Sequence, residues 1–113
     1  MPDDLPRVGQ VYRVQPWIFL DGDPKGGRPV VVVRPPRGAG DLMTVVERTS
    51  TRLDLRGIAH PADPLLGLDR DGRWVHRFTR TVAETLFRPP NVQLLGILGP
   101  PFLDDVIRMW EEW

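Results

Sequence analysis

At 113 residues the chain has room for one ordinary domain but not for a second independent core. Its 41% hydrophobic and 27% charged residues exclude wholesale disorder, and the lack of cysteine excludes disulfide frameworks, thiolate metal sites and cysteine nucleophiles. Fifteen basic and fifteen acidic residues cancel, so the global charge gives no drive toward nonspecific nucleic-acid binding.

Gln10 to Val14 alternates apolar and polar residues and predicts a strand, continuing unevenly through Trp17, Ile18, Phe19 and Leu20. Asp21-Gly22-Asp23-Pro24-Lys25-Gly26-Gly27 is dense in turn formers and predicts a flexible loop. Val30 to Val33 is an unbroken β-branched run, which wants burial on both faces and so a central strand. Pro35 to Gly40 turns the chain toward a third strand, Leu42 to Glu47. Arg52 to Arg56 alternates as a short strand does, and Asp71-Gly72 marks a turn before a strand near Trp74 to Thr79. A short helical segment is expected over Val82 to Phe87, stopped by Pro89-Pro90, then a last strand over Gln93 to Leu98.

Pro100-Pro101 suits a helix start, with Asp104 and Asp105 expected in its first turn. Leu103, Val106, Ile107, Trp110 and Trp113 form one apolar stripe, expected to pack on the sheet or in a dimer seam. Short strands with Gly/Pro turns and one terminal helix predict a mainly β fold, a small curled barrel in a single domain over 1–113. No apolar run approaches the ~20 residues of a membrane span. The acidic Met1-Pro2-Asp3-Asp4 start is unlike a secretory signal, so a soluble, cytoplasmic chain is expected.

Charge is unevenly distributed. Residues 28–88 hold eleven Arg against seven acids, residues 89–113 one Arg against four acids, and Lys25 is the sole lysine. Arginine presents a planar fork to phosphate where lysine gives a point charge. Asp21-x-Asp23 and Asp69-x-Asp71 fail the calcium-loop pattern and read as turns; no phosphate-binding glycine loop, zinc spacing or serine-nucleophile elbow occurs. His76 lies mid-strand, where a structural histidine is commoner than a base. What remains is Arg28 at the mouth of a buried strand, with Thr49, Ser50 and Thr51 at the end of the third strand. Guanidinium and hydroxyl donors there suit an oxyanion, although Arg28 pairing with a surface carboxylate is the plainer reading.

Gly9-x-Val11-Tyr12 followed by Gly26-Gly27-Arg28-Pro29-Val30-Val31-Val32-Val33 resembles the N-terminal signature of the MazF/PemK toxin endoribonucleases. Leu68-Asp69-Arg70-Asp71-Gly72, Arg80-Thr81-Val82 and Gly96-Ile97-Leu98 resemble later elements of that family. The resemblance implies an SH3-like barrel, a homodimer, metal- and cofactor-free cleavage of single-stranded RNA, and silencing by a cognate antitoxin. It implies Arg28 and Thr49 as the catalytic pair, with Ser50 and Thr51 as register alternatives for the hydroxyl, and Lys25, Phe78 and Arg80 as RNA contacts. Water or His76 would protonate the leaving oxygen. Where the family has an acidic-Gln pair this chain has Arg77-Phe78, so Phe78 is either a base-stacking platform or a core aromatic. Two alternatives stay open: a gyrase poison acting through Trp110 and Trp113, and a catalytically silent RNA- or protein-binding module.

Overall fold

The computed structural model describes residues 5–19 and 28–113. Six strands, β1 (Gln10–Val14), β2 (Pro29–Arg34), β3 (Leu42–Thr49), β4 (Gly57–His60), β5 (Gly72–Ala83) and β6 (Val92–Ile97), are followed by one helix, α1 (Pro100–Glu112). The strands form one antiparallel sheet in the order β4-β5-β3-β2-β1-β6. Among the described residues no pairing joins edge strands β4 and β6, so the expected barrel is observed as a single six-stranded sheet. No described helix is long and apolar enough to cross a membrane.

β2 sits inside the sheet, as its valine run requires. Val30 and Val32 join a core with Tyr12, Ile18, Met43, Val45 and Phe87 on one face. Val31 and Val33 join a second core with Val46, Leu66, Leu68, Trp74, Val106 and Met109 on the other. All four are at most 4% exposed, and each stabilises the sheet by about 1.5–3 kcal/mol relative to a solvated side chain.

Three expected elements differ. Arg52–Arg56 forms turns instead of a strand, because the Thr49 hydroxyl captures the amides of Thr51 and Arg52, and Leu55 N–H bonds back to the Arg52 carbonyl. Val82 and Ala83 stay in β5, which runs twelve residues, and only Glu84–Leu86 forms a 3-10 turn. The buried Glu84 carboxylate fixes that turn by accepting from Gly40 N–H and from Arg88 through two bonds of 2.7 Å. The uneven continuation of the first strand is replaced at Pro16–Ile18 by a 3-10 turn, and Leu20 lies outside the described residues.

α1 begins at Pro100 as expected, but both prolines occupy its opening positions, so Asp104 and Asp105 fall beyond the first turn. Val106 and Met109 are buried, and Phe102, Leu103, Ile107 and Trp110 pack beside them over the second core. Gly9 permits this close approach: its φ is +89° and a Cβ there would lie 2.8 Å from Leu103. Trp113, the end of the predicted stripe, is 44% exposed and lies beneath the Arg56 guanidinium at 3.9 Å.

β5 carries one large irregularity. Val46 pairs with Thr79 and Arg48 with Trp74, so two steps along β3 meet five along β5 and three residues are extra. This extended bulge holds His76, Arg77 and Phe78, beyond the last pairing of β4 at Val75. The Thr79 hydroxyl closes it by donating to the His76 carbonyl at 2.6 Å.

Candidate functional site

Four chain segments meet at one end of the sheet. Arg28 precedes β2, and Arg13 on β1 pairs with the next residue, Pro29. Thr49 ends β3, followed by Ser50 and Thr51. The stretch Gly67 to Arg70 leads into β5. Together they line a pocket of about 290 Å³ with Arg48 in its wall. The lining holds four arginines against one acidic residue, Asp69, together with the hydroxyl residues Thr49, Ser50 and Thr51. Such a concavity attracts anions and offers forked donors to them.

The two residues expected to be catalytic are thus gathered in one site. Arg28 is half-buried, and its guanidinium lies over the Phe78 ring at 4.9 Å. Among the described residues it makes no hydrogen bond or ion pair, which leaves its N–H fork for a ligand. Thr49 is 3% exposed, and its Oγ1 accepts N–H bonds from Thr51 and Arg52, each at 3.2 Å. An oxygen that already accepts twice has its O–H left to give. Thr51 Oγ1 at 3.3 Å is one acceptor, and an oxyanion in the pocket would be another. Ser50 and Thr51 are exposed and also line the pocket.

The other expected contacts are placed differently. Phe78 belongs to neither core cluster; the β5 bulge brings it under Arg28, outside the pocket lining. Arg80 does not line the pocket. It pairs with Val45 in the ladder, so its side chain shares a face with the fully buried Glu47, whose Oε1 accepts from Arg80 Nε at 3.2 Å. Its guanidinium also stands 5.8 Å from the Phe19 ring centre. His76 lies beside Trp113, with ring centres 6.0 Å apart, and is absent from the pocket lining. Lys25 lies outside the described residues, as does the loop of Asp21-x-Asp23.

Arg13, Arg48 and Arg70 were not singled out by sequence reading. Arg13 was legible in principle, since the cross-strand neighbour of a β2-mouth arginine falls on β1. Arg48 was not. It is 3% exposed, and its Nε donates to His60 Nδ1 at 2.9 Å. Its Nη2 donates to the carbonyls of His60 (3.0 Å), Pro61 (3.3 Å) and Arg70 (2.8 Å). Burial lowers the Arg48 pKa from the usual arginine range, while Asp63 and Asp71 oppose that shift. His60 is 1% exposed, packed edge-on to Phe102 at 4.8 Å and near Trp74 at 5.7 Å. Burial and then Arg48 hold its imidazole below the ordinary histidine range, against the pull of Asp63 at 3.2 Å from Nε2. Because Nδ1 accepts from a guanidinium, the neutral ring carries its proton on Nε2.

No protein-family model matches the chain, and no curated protein is significantly similar to it.

Proposed function

We propose that this chain is a metal-independent endoribonuclease toxin of the MazF/PemK kind, cutting single-stranded RNA by attack of its own 2′-hydroxyl. The supporting observation is the convergence of Arg28 and Thr49, twenty-one positions apart, on one arginine-rich pocket. In this reaction the substrate supplies the nucleophile. The 2′-oxygen gives up its proton to solvent and bonds to phosphorus, the P–O5′ bond breaks, the 5′-oxygen takes a proton from water, and the products are a 2′,3′-cyclic phosphate and a 5′-hydroxyl.

The protein must stabilise a phosphorane more negative than the ground-state phosphodiester. The uncommitted fork of Arg28 suits two nonbridging oxygens, and the Thr49 O–H adds a third donor. Arg70 and Arg13 flank them, suited to the phosphate of a neighbouring nucleotide. Phe78 backs the Arg28 guanidinium from beneath, limiting its rotamers. Water is the proton donor to the leaving oxygen in this scheme, since His76 stands beside Trp113.

The same reading takes the bulged sheet as an SH3-like barrel and the active form as a cytoplasmic homodimer silenced by an antitoxin segment. Leu65, Leu94 and Ile97, at 92%, 52% and 70% exposure along the β6 edge, supply apolar surface for a second copy. Sedimentation at tens of micromolar is expected to give a dimer, and a monomer there would overturn that part.

Incubation of the purified protein with mixed RNA in EDTA tests the chemistry. Cleavage with cyclic-phosphate ends is expected. Activity abolished by chelation and restored by magnesium would overturn the mechanism. One observation favours a second reading, an RNA-binding module that does not cut: Arg28 rests on Phe78, the residue that departs from the family pattern. Intact RNA together with tight binding would select it. Of the two tryptophans in the gyrase-poison alternative, Trp110 packs on the core and Trp113 is 44% exposed beneath the Arg56 guanidinium.

A further inference from the structure

Arg48 is an unusual wall for an anion site. One of its four acceptors, the Arg70 carbonyl, belongs to a pocket-lining residue, the other three lie on His60 and Pro61 behind the wall, and the residue after it is Thr49. Its bond to the Arg70 carbonyl ties the pocket-lining stretch before β5 to the end of β3. Gly72 leaves the guanidinium its room, because a Cβ there would stand 2.6 Å from Arg48 Cζ and 2.7 Å from the Thr49 carbonyl oxygen. A second tie runs parallel, from Ala62 N–H to the Asp71 carboxylate at 3.0 Å. Stability alone does not call for a cation here, since well-packed apolar residues often serve as well as buried charges. What a committed guanidinium adds is direction.

We propose that Arg48 is a positioning residue that clamps Thr49 and Arg70 around the pocket, and that the clamp holds only while His60 Nδ1 is unprotonated. The proposal rests on the ribonuclease reading for its catalytic consequence, but the clamp itself stands on the geometry. A proton on Nδ1 would set N–H against N–H at 2.9 Å and place two cations together away from water. Among the described residues the groups facing His60 are Arg48 from β3, Asp63 from the turn after β4, and the uncharged Trp74 and Phe102 from β5 and α1. Asp71 acts on Arg48 and not on the ring directly. Only Asp63 favours the imidazolium, and burial with Arg48 outweighs it. Mild acid is therefore expected to loosen the Thr49 turn and the Arg70 wall together.

The test has two arms on the full chain. In the first, NMR follows the His60 ring and the amides of Thr51 and Arg52, which bond Thr49 Oγ1, as pH falls. The amides are expected to shift with the midpoint of His60, and amides that stay fixed while His60 takes its proton overturn the proposal. In the second, single-turnover RNA cleavage is profiled against pH for the wild type, His60→Asn and Arg48→Lys. Asparagine Oδ1 can accept from Arg48 but cannot gain a proton, so the acid limb of the profile is expected to flatten. Arg48→Lys keeps the charge without the fork; its rate is expected to fall ~10–100-fold, with binding of a 2′-deoxy analogue held within about threefold. An acid limb retained in His60→Asn, or wild-type rates in Arg48→Lys, overturn the proposal. If the wild type cuts no RNA, the ribonuclease reading alone fails, and the NMR arm still decides the clamp. It also decides if neither variant folds.

Discussion

Arg28 and Arg48 line the same pocket and are held in opposite ways. Arg48 is buried, with four acceptors on its donors; Arg28 stands at the mouth, its plane on an aromatic ring and its N–H groups unengaged among the described residues. The contrast separates two uses of one side chain. A guanidinium with its bonds already made holds backbone in place, whereas one with a supported face and open donors is poised for a ligand. Composition cannot tell them apart. Only the acceptors around each one can.

Substitution should break the pair asymmetrically. Arg48→Ala removes a donor from three carbonyls and from His60 at once, and its expected effect is the largest: about 3–5 kcal/mol of unfolding free energy, read by urea titration. Arg28→Ala should leave the urea midpoint unmoved and lower the single-turnover rate of RNA cleavage by ~10²–10³, with far less effect on binding to a 2′-deoxy analogue. Arg28→Lys should rescue poorly, since an ammonium cannot span two oxygens. A destabilised Arg28→Ala that still cuts at full rate would reverse the two assignments.

Smaller changes sharpen the contrast. Gly72→Ala presses a methyl group on a guanidinium that its bonds prevent from moving aside, and about 1–3 kcal/mol of destabilisation is expected from thermal melts. Thr49→Ala deletes one neutral donor and the acceptor of two amides, so a rate loss of ~10-fold is expected together with about 1 kcal/mol of stability, both largely recovered by Thr49→Ser. Acid should act on the buried arginine and not on the open one. The folded pKa of His60 lies below its unfolded value, so the unfolded chain takes up the proton first. The stabilisation is complete above the usual histidine range, near 6.5, and declines as pH falls through the folded value. Melting temperatures measured stepwise from pH 7.5 to 5 check this, and His60→Asn should remove that part of the decline.

How much of this was legible in the sequence follows from the range of the forces involved. The valine run of β2 and the stripe of α1 declared their burial through periodicity, because one element meets the core along its whole length. Arg28 and Thr49 were legible from motif resemblance, and both reach the pocket. The turn over Arg52 to Arg56 was not, since a single hydroxyl, Thr49 Oγ1, competes there with a weak strand alternation and wins. Arg80 is an RNA contact by resemblance alone, and its ion pair with Glu47 comes into view only when β3 lies beside it in the ladder. Arg48 and His60 stand twelve positions apart, and no spacing rule links a strand residue to the ring that closes its hydrogen bonds.

The three extra residues of β5 bear on how such a chain could vary. Pairing is intact on both sides of the bulge, from Thr79 to Ala83 against β3 and from Gly72 to Val75 against β4. A residue gained or lost between His76 and Phe78 would therefore be absorbed locally, without turning either ladder inside out as a slip in mid-strand does. The aromatic ring under Arg28 is carried on this segment. Descent with small insertions and deletions could thus exchange what supports the guanidinium, ring for polar group or long side chain for short, while both cores keep their registers. Libraries that vary bulge length and composition, with β2 and β3 left untouched, would sample that freedom directly.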